Sequence, residues 1–523
     1  MSLVRNVLEQ AERTPEVVAL IAGDGTPLTY GELRRRVLAV RDGFLAAGLA
    51  PGDGVLFSVR PSPQALVLAL GVVAARGVVV FADPGAGPEM FEARLRLAAP
   101  RWSAAEALLY AASRVGPVRS YARRRGLLLP NLSELPLQHV YTGRWLPGVP
   151  RGAHSLANWL KASPDTGSFW EATPRPPEAG SADPRFAAVV RTGPVEETDG
   201  TEPAVVIFTS GTTSAPRAVV HTQASLAAGL ELFRSRVSLG PGDVVHTDQL
   251  MLGLPTLIAG ACWSMPPLFC APGDFLEQME ERKATHTFCV PVHLAEILDA
   301  AGDRKLPSGL RHVLLGAAPA PAGVLRRAVE AAPGAEVLSV YAMTEIVPVA
   351  IASAQEKLAH QGGGDLLGEP LPWISARVAD DGELFLGGPN LCRGYLGEPG
   401  HVELATGDLA RLDGGRLVLL GRKKDMLIRG KFNLYPGLYE PAITALEGVR
   451  EAAIVGLPDP ETGDEEVVLA VVGTVPGAEL RRRLRGILDA EALPDRIVYL
   501  PELPFSGRGR KLDRAALRDR VSQ

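Results

Sequence analysis

A short stretch rich in hydroxyl groups is the first feature of this sequence whose residue types could do chemistry. The stretch reads FTSGTTSAPRAVVH at 208–221 and follows the apolar run AVVI at 204–207. Backbone N–H groups and Ser or Thr hydroxyls in such a loop can all donate hydrogen bonds to anionic oxygens. Gly211 lets the backbone approach a ligand closely, and Arg217 adds a fixed positive charge. The sequence therefore predicts a phosphate-binding loop after a buried strand, with a solvated Ser/Thr turn as the alternative for this stretch alone.

The elements around this loop alternate between helix and strand. Apolar residues between Leu33 and Phe44 recur at helical spacing, and strand-like runs follow at 55–59 and 78–81. Such alternation favours a parallel α/β sheet. The order of predicted elements changes towards the C-terminus, where helix, strand, strand and helix follow one another after Lys424. This last part of the chain is predicted to be a separate small unit.

Composition narrows the class of protein. A chain of 523 residues is too long for one compact core, so two or three domains are expected. The net charge of -5 argues against a nucleic-acid-binding surface. Three arginine runs are interpreted as solvated helix faces; they lie at 34–36, 123–125 and 481–483.

Cysteine usage and hydropathy predict a cytoplasmic protein that does not span a membrane. The four cysteines form no CxxC pair, which fits reduced thiols and gives no metal site. The most apolar stretch, Ala65 to Ala82, is interrupted by Arg76 and is shorter than the roughly 20 residues that a membrane span needs. The N-terminal residues lack the basic and apolar regions of a signal peptide.

Eight further motifs follow in a fixed order along the chain. They are LTYGEL at 28–33, GLAPGDGV at 48–55, GAAP at 316–319, YAMTE at 341–345, GELFLGGPNLCRGY at 382–395, TGD at 406–408, GRKKDMLIRGKFNLYP at 421–436 and LPFSGRGRKLDRAAL at 503–517. Together with the hydroxyl-rich loop they resemble the adenylate-forming superfamily, which includes acyl-CoA synthetases, peptide-synthetase adenylation domains and luciferases. The resemblance covers nearly the whole chain.

The resemblance implies a fold and a reaction. The fold is α/β, with two layered α/β subdomains and a distorted β-barrel in residues 1–421 and a small mobile α+β lid in residues 422–523. The reaction is attack of a carboxylate on the α-phosphate of ATP, which releases pyrophosphate and leaves an acyl-adenylate. ATP is then a co-substrate and Mg²⁺ the cofactor, and catalysis consists mainly of positioning and charge neutralisation.

The resemblance also assigns roles to residues of this sequence. The residues expected to hold the ATP phosphates are Thr209, Ser210, Gly211, Thr212 and Thr213. Those expected around the adenine are Gly316, Ala317, Ala318 and Tyr341. Asp408, whose two oxygens can accept from both ribose hydroxyls, and Arg422 complete the nucleotide site. The residues expected to act in catalysis are Lys511, Glu345, Thr344 and Arg217, with Mg²⁺ held by Glu345 and Thr212.

The sequence departs from the family pattern at several of these motifs. Ser214 replaces the second glycine of the phosphate loop, Arg217 replaces its lysine, and Ala218 replaces the glycine that follows. Ala342 also stands where the family has glycine. One extra residue precedes the tail lysine, so Arg510 is an alternative to Lys511 for the catalytic charge.

The sequence leaves the fate of the adenylate open. Lys424 matches the hinge and Gly430 the thiol-tunnel glycine of acyl-CoA synthetases, although Lys431 replaces a second glycine. These matches imply transfer to CoA or a carrier-protein thiol. The segments at 78–91 and 340–356 instead resemble β-lactone synthetases of olefin biosynthesis, in which the acid's own hydroxyl closes the ring.

A nucleotide-binding homologue without catalysis is the alternative of another class. The altered phosphate loop favours it, and the retained catalytic residues argue against it. An enzyme would take a carboxylic acid with an apolar acyl chain, held near Pro291, Val292 and Gly316.

Overall fold

The computed structural model describes most of the chain in two compact units. The described residues are 2–82, 88–116, 130–162, 200–209, 216–429, 432–434, 436–458, 465–488, 492–506 and 511–522. The first unit comprises Met1–Cys270, Thr344–Val347 and Pro389–Val402. The second comprises Ala271–Met343, Pro348–Gly388 and Glu403–Gln523. The domain boundary expected at residue 421 stays a prediction.

The helices are short to medium in length and are numbered in chain order. Those of the first unit are α1 Leu3–Arg13, α2 Tyr30–Ala46, α3 Pro63–Ala74, α4 Pro88–Ala98, α5 Ala107–Arg114, α6 Leu156–Ala162, α7 Gln223–Arg236 and α8 Leu250–Ile258. Those of the second unit are α9 Pro272–Glu281, α10 Pro291–Ala301, α11 Ala322–Ala331, α12 Ala354–Ala359, α13 Pro436–Thr444, α14 Gly477–Leu484 and α15 Arg514–Val521. Two 3-10 helices, at Leu132–Glu134 and Lys423–Asp425, accompany them.

The strands are numbered in the same way. The first eleven are β1 Val18–Ile21, β2 Pro27–Thr29, β3 Gly54–Ser58, β4 Val78–Phe81, β5 Trp102–Glu106, β6 Gln138–Thr142, β7 His154–Ser155, β8 Pro203–Thr209, β9 Arg217–Thr222, β10 Val244–His246 and β11 Cys262–Ser264. The next ten are β12 His286–Cys289, β13 His312–Leu315, β14 Glu336–Met343, β15 Ile346–Ser353, β16 Asp365–Gly368, β17 Ser375–Val378, β18 Glu383–Gly387, β19 Gly394–Tyr395, β20 Leu404–Asp413 and β21 Arg416–Arg422. The last are β22 Leu427–Arg429, β23 Phe432–Leu434, β24 Val449–Pro458, β25 Glu465–Gly473, β26 Arg496–Tyr499, β27 Phe505–Ser506 and β28 Lys511–Leu512.

The main sheet of the first unit has eight strands in the order β19-β9-β8-β4-β3-β5-β6-β7. The neighbouring pairs β8–β4, β4–β3, β3–β5 and β5–β6 are parallel, as the alternation of helix and strand predicts. Strand β8 pairs antiparallel with β9 on its other side. Thr209 and Arg217 are partners in this hairpin. The hydroxyl-rich loop therefore joins two neighbouring antiparallel strands, rather than a strand and a helix.

Burial follows the apolar pattern of the sequence in the first unit. Leu33, Val37, Val40 and Phe44 of α2 are fully buried, which confirms the predicted amphipathic helix. Strands β10, β11, β1 and β2 are neighbours in a second sheet, with β10–β11 and β11–β1 parallel and β1–β2 antiparallel. The apolar stretch from Ala65 to Ala82 contributes to helix α3 and strand β4. No described helix is both long and apolar enough to cross a membrane.

The second unit contains both parallel and antiparallel strand pairings. Strands β12, β13 and β14 are parallel, each paired with the next. The region predicted as a distorted barrel forms a five-stranded antiparallel sheet in the order β16-β21-β20-β18-β17. Near the C-terminus, β24, β25 and β26 form a sheet whose two faces are covered by apolar clusters that include residues of α13, α14 and α15. The α+β content of this portion agrees with the prediction, whereas its separation from the rest of the chain stays a prediction.

Two of the three arginine runs lie on helices, as predicted. Arg34, in α2, donates to Glu12, and Arg483, in α14, pairs with Glu479. The third run, at 123–125, lies outside the described residues. Cys289 and Cys392 are buried, whereas Cys262 and Cys270 are partly buried.

Candidate active site

Asp408 is the centre of a polar cluster in the second unit. Its side chain is only 3% exposed. The Tyr341 hydroxyl, at the end of β14, donates to Asp408 Oδ2 at 2.7 Å, and Arg422 Nε lies 3.0 Å from Oδ1. Both carboxylate oxygens are thus engaged, one by a neutral hydroxyl and one by a guanidinium group.

The local structure explains why Asp408 and Arg422 meet. The two residues are direct partners in the antiparallel pairing of β20 with β21, so their side chains lie on one face of the sheet. The TGD motif is part of β20 rather than a tight turn between strands. Gly407 has φ of 69°, a conformation that favours glycine, and its N–H donates to Glu383 Oε1 at 3.0 Å.

The charges of this cluster act on one another. Burial raises the pKa of Asp408, while Arg422, the Tyr341 hydrogen bond and Lys511 oppose that rise. Burial also raises the pKa of Tyr341, and the Asp408 charge adds to the effect, so the hydroxyl stays a proton donor at neutral pH. The second unit therefore brings Tyr341 and Arg422 into direct contact with Asp408, and the charge of Lys511 acts on the same carboxylate.

The residue before Lys424 is anchored to the five-stranded sheet. Lys424 lies in the 3-10 helix Lys423–Asp425. Lys423 Nζ donates to Asp381 Oδ2 at 2.7 Å and to Glu383 Oε2 at 2.8 Å. No hydrogen bond or ion pair joins the Lys424 side chain to another residue of the described chain. The backbone is thus fixed just before Lys424.

The residue after Lys424 is anchored to the C-terminal helix. Asp425 Oδ2 lies 3.5 Å from Arg514 Nε, at the start of α15. Arg514 also donates two hydrogen bonds of 2.8 Å to the Glu440 carboxylate and one of 2.8 Å to the Ile454 carbonyl. Lys424 therefore separates two segments that are held by different partners.

The loop expected to flank the adenine follows β13. A Cβ atom at Gly316 would lie 2.6 Å from the ring of the buried Phe288, so a larger residue does not fit there. Ala317 has φ of 66°, a left-handed conformation that is strained for an alanine. Ala318 completes the loop. The structure thus shows close packing at Gly316 and backbone strain at Ala317.

We expect Ala317→Gly to raise the free energy of unfolding by about 1 kcal/mol, because glycine adopts this φ without the Cβ clash. Chemical denaturation measures the change. The matched control is Ala300→Gly, at an exposed position in α10, which should lower stability by about 0.5–1 kcal/mol. A destabilised Ala317→Gly protein would mean that the strain is absent in solution.

Glu345 is the centre of a second polar cluster, which lies in the first unit. Its side chain is buried, and Tyr395 donates a hydrogen bond of 2.9 Å to Oε1. The Cys392 N–H donates to the Glu345 carbonyl at 2.7 Å. His221 Nε2 lies 2.7 Å from the Thr344 carbonyl, which can only accept, so this nitrogen carries the proton. Burial lowers the pKa of His221 and keeps the ring neutral.

Arg217 belongs to the same cluster. It is the first residue of β9, and its guanidinium carbon lies 3.7 Å from the centre of the Tyr395 ring. Its Nη2 atom lies 3.5 Å from Glu398 Oε2. The first unit therefore brings together Arg217, Thr344 and Glu345, and Thr209 ends the strand that pairs with β9.

Some predicted site residues lie outside the described residues. They are Ser210, Gly211, Thr212, Thr213 and Ser214 of the hydroxyl-rich loop, Gly430 and Lys431 of the thiol-step motif, and Arg510 of the tail. Their roles stay predictions.

The residues present fit a magnesium ion at Glu345. Its carboxylate is an oxygen ligand of the kind that Mg²⁺ prefers. Tyr395 fixes Oε1, and no hydrogen bond from the described part of the chain reaches Oε2. No group of three or more metal-binding side chains occurs among the described residues.

Sequence reasoning missed three residues that position the site. Tyr395 and His221 both lie within motifs that carry the family resemblance, yet neither received a role. Lys423 was treated only as a neighbour of the hinge. Their positions within the motifs were the available signal, but the contacts depend on how distant segments pack.

Comparisons with known proteins identify the family and the fold of the chain. Residues 7–396 match the AMP-binding enzyme family, and residues 439–510 match the AMP-binding enzyme C-terminal domain. Feruloyl-CoA synthase from Amycolatopsis sp is 28% identical over 544 residues, which cover 97% of this chain and 96% of that protein. The structure of amide bond synthetase McbA from Marinactinospora thermotolerans has a TM-score of 0.78 and 25% identity, with 99% of each chain covered. ATP-bound MatB from Rhodopseudomonas palustris shares the fold, with a TM-score of 0.76 and 23% identity over 100% of this chain and 99% of that one.

Proposed function

The chain belongs to the AMP-binding enzyme family, and on that premise we propose that it activates a carboxylic acid with ATP through an acyl-adenylate. Pyrophosphate is released, and the acyl group then passes to a thiol. The observation that carries the proposal is the cluster around Asp408, a buried carboxylate that Tyr341 and Arg422 contact directly and whose pKa the charge of Lys511 lowers. A ribose site beside a mobile cation is what adenylate formation requires.

The Asp408 cluster is suited to the nucleoside and the reacting carboxylate. Asp408 accepts hydrogen bonds from the ribose hydroxyls, with Arg422 holding its orientation. Tyr341 lies beside the adenine, together with the loop of Gly316, Ala317 and Ala318. Lys511 neutralises charge where the acid meets the α-phosphate.

The Glu345 cluster is suited to the phosphates. Thr209 and the loop that follows it donate hydrogen bonds to the β- and γ-phosphates, and Thr344 contacts the α-phosphate. Arg217 adds positive charge at the end of this loop. Glu345, with Thr212, holds Mg²⁺, which neutralises charge on the phosphate oxygens when it is bound.

The first step joins two anions. A carboxylate oxygen of the acid attacks the α-phosphorus, and the bond from that phosphorus to the β-phosphate oxygen breaks. Pyrophosphate leaves with the electron pair. Lys511, Arg217 and the donors of the phosphate loop lower the repulsion between the two reactants, which is the main barrier that the protein can reduce.

A thiol acceptor is supported by the backbone around Lys424. Lys423 is anchored to one sheet and Asp425 to Arg514, so a rotation at Lys424 would move one segment relative to the other. Acyl-CoA synthetases use such a hinge between their two steps, and the relative from Amycolatopsis sp is a feruloyl-CoA synthase. In the second step the thiolate sulfur attacks the acyl carbon, AMP leaves, and CoA or a carrier protein retains the acyl group.

Two other acceptors deserve a place in the experiment. An amine is a candidate because the chain is similar in sequence and structure to an amide bond synthetase. The hydroxyl of a β-hydroxy acid is a candidate because of the resemblance to β-lactone synthetases. The acid itself is expected to carry an apolar chain, and the reaction is expected to take place in the cytoplasm.

A substrate panel tests the proposal. Purified protein is given ATP and Mg²⁺ with fatty acids, hydroxycinnamic acids or a β-hydroxy acid, with or without CoA or an amine. We expect acid-dependent pyrophosphate release, and mass analysis of the product then identifies a thioester, an amide or a lactone. ATP binding without pyrophosphate release from any acid would favour the non-catalytic homologue.

Asp408→Asn should weaken ATP binding about tenfold, because the amide keeps the shape but loses a charge and one acceptor. Isothermal titration calorimetry measures the affinity. Asp413→Asn, at an exposed position on the same strand, is the matched control and should leave the affinity unchanged. Unchanged binding by a folded Asp408→Asn protein would reduce the role of Asp408 to holding Tyr341 and Arg422.

A further inference from the structure

Tyr395 contacts two functional side chains of the first unit at once. Its hydroxyl donates to Glu345 Oε1 at 2.9 Å, and its ring supports the Arg217 guanidinium at 3.7 Å. Glu345 and Tyr395 are each 8% exposed, so water competes weakly for the hydrogen bond. One side chain thus connects the carboxylate suited to the metal with the cation that ends the phosphate loop.

The backbone fixes Tyr395 in this position. Tyr395 lies in β19 and pairs with Val219 of β9, two residues after Arg217. The segment before β19 is bound to the Glu345 segment through the bridge between Ile346 and Leu391. Backbone pairing thus ties the Tyr395 segment both to the strand that carries Arg217 and to the segment that carries Glu345. This pairing resists small shifts of the Tyr395 ring.

Protonation keeps the Tyr395 hydroxyl a donor. A phenol hydroxyl keeps its proton at neutral pH, and Glu345 Oε1 lies at 2.9 Å to accept it. The hydroxyl therefore donates to the carboxylate throughout the neutral range. A carboxylate held in this way presents its other oxygen in a fixed direction, and such supporting hydrogen bonds typically change metal affinity 10- to 100-fold.

We propose that Tyr395 is a positioning residue with two separable functions. Its hydroxyl orients Glu345 for the metal ion that accompanies ATP, and its ring holds Arg217 at the end of the phosphate loop. The inference rests on the proposed function, because it assumes that Glu345 and Arg217 act on Mg²⁺ and the ATP phosphates. It adds a residue to which the family resemblance gave no role.

Two substitutions separate the two functions. Tyr395→Phe removes the hydroxyl and keeps the ring under Arg217, whereas Tyr395→Leu removes both. Tyr110→Phe is the matched control, because Tyr110 is also a buried tyrosine of the first unit whose hydroxyl is hydrogen-bonded, there to His139. A purely structural role for Tyr395 predicts that both Tyr395 variants lose stability and that neither changes how ATP binding depends on Mg²⁺.

The readout is ATP affinity by calorimetry, without any acid, in excess Mg²⁺ and in a metal chelator. For Tyr395→Phe we expect the affinity with Mg²⁺ to fall about tenfold and the affinity in chelator to stay unchanged. For Tyr395→Leu we expect the ATP affinity to be about threefold lower than that of Tyr395→Phe, both with Mg²⁺ and in chelator. The support of Arg217 by the ring does not depend on the metal. Tyr110→Phe should match the wild type in both.

The outcomes distinguish this inference from the proposed function. A wild-type protein that binds no ATP contradicts the proposed function itself. A wild type that binds ATP, with an unchanged Mg²⁺ effect in Tyr395→Phe, overturns only the role of Tyr395. Should Tyr395→Phe melt earlier than Tyr110→Phe, the affinities are read well below the melting temperature of both, where an equal loss with and without Mg²⁺ also counts against the inference.

Discussion

Replacement of Lys511 by alanine is expected to lower the rate of adenylate formation about a hundredfold. The developing charge at the α-phosphate loses its neutralising partner, and one such electrostatic contact is typically worth about 3 kcal/mol. The influence of Lys511 on the pKa of Asp408 supports its position near the nucleotide. The measurement is acid-dependent exchange of labelled pyrophosphate into ATP, which reports the first step alone.

Two control variants complete this experiment. Lys511→Arg keeps the charge but changes its reach and geometry, so it should retain more exchange than Lys511→Ala. Arg510→Ala tests the alternative register of the tail and should leave exchange nearly unchanged. A loss in Arg510→Ala with near-normal exchange in Lys511→Ala would transfer the catalytic role to Arg510.

The second large effect is expected at Lys424. Lys424→Pro should leave adenylate formation in place and lower thioester formation about a hundredfold. Proline fixes φ near -65°, which lies in the range of a 3-10 helix such as Lys423–Asp425. A pose that needs another φ at this residue becomes about 3 kcal/mol less favourable, and hence about a hundredfold less populated. The measurement follows pyrophosphate exchange and acyl-CoA formation separately.

Lys424→Ala is the matched control for this substitution. It removes the charge but leaves the backbone free, so both half-reactions should survive if the residue acts as a hinge. An equal loss of both steps in Lys424→Pro would argue against two alternating poses. Full turnover in Lys424→Pro without any need for CoA would contradict the thioester pathway and favour an intramolecular acceptor such as the hydroxyl of a β-hydroxy acid.

Local patterns in the sequence were enough to predict many of the elements. Apolar spacing in α2 and the continuous runs of β3 and β4 reflect burial that each element imposes on its own residues. The same holds for β24 and β25, whose apolar runs pair in the C-terminal sheet. These signals depend on neighbouring residues, so they are visible without knowledge of the fold.

The contacts that organise the two polar clusters could not be predicted in this way. Tyr341 and Asp408 lie 67 residues apart, and Glu345 and Tyr395 lie 50 apart. Their meeting depends on how whole strands are ordered in a sheet, which the spacing of residue types does not encode. The ordered motifs indicated that Tyr341, Asp408 and Glu345 matter, but not that Tyr341 binds Asp408 or that Tyr395 supports Glu345.

The most direct test of the central claim follows oxygen atoms from the acid. An acid that supports pyrophosphate release is prepared with oxygen-18 in its carboxylate and supplied with ATP, Mg²⁺ and the acceptor. If the carboxylate attacks the α-phosphorus, mass spectrometry will find one labelled oxygen in the AMP that is released when the acyl group is transferred. Unlabelled AMP, or formation of ADP with label in inorganic phosphate, would contradict activation through an acyl-adenylate.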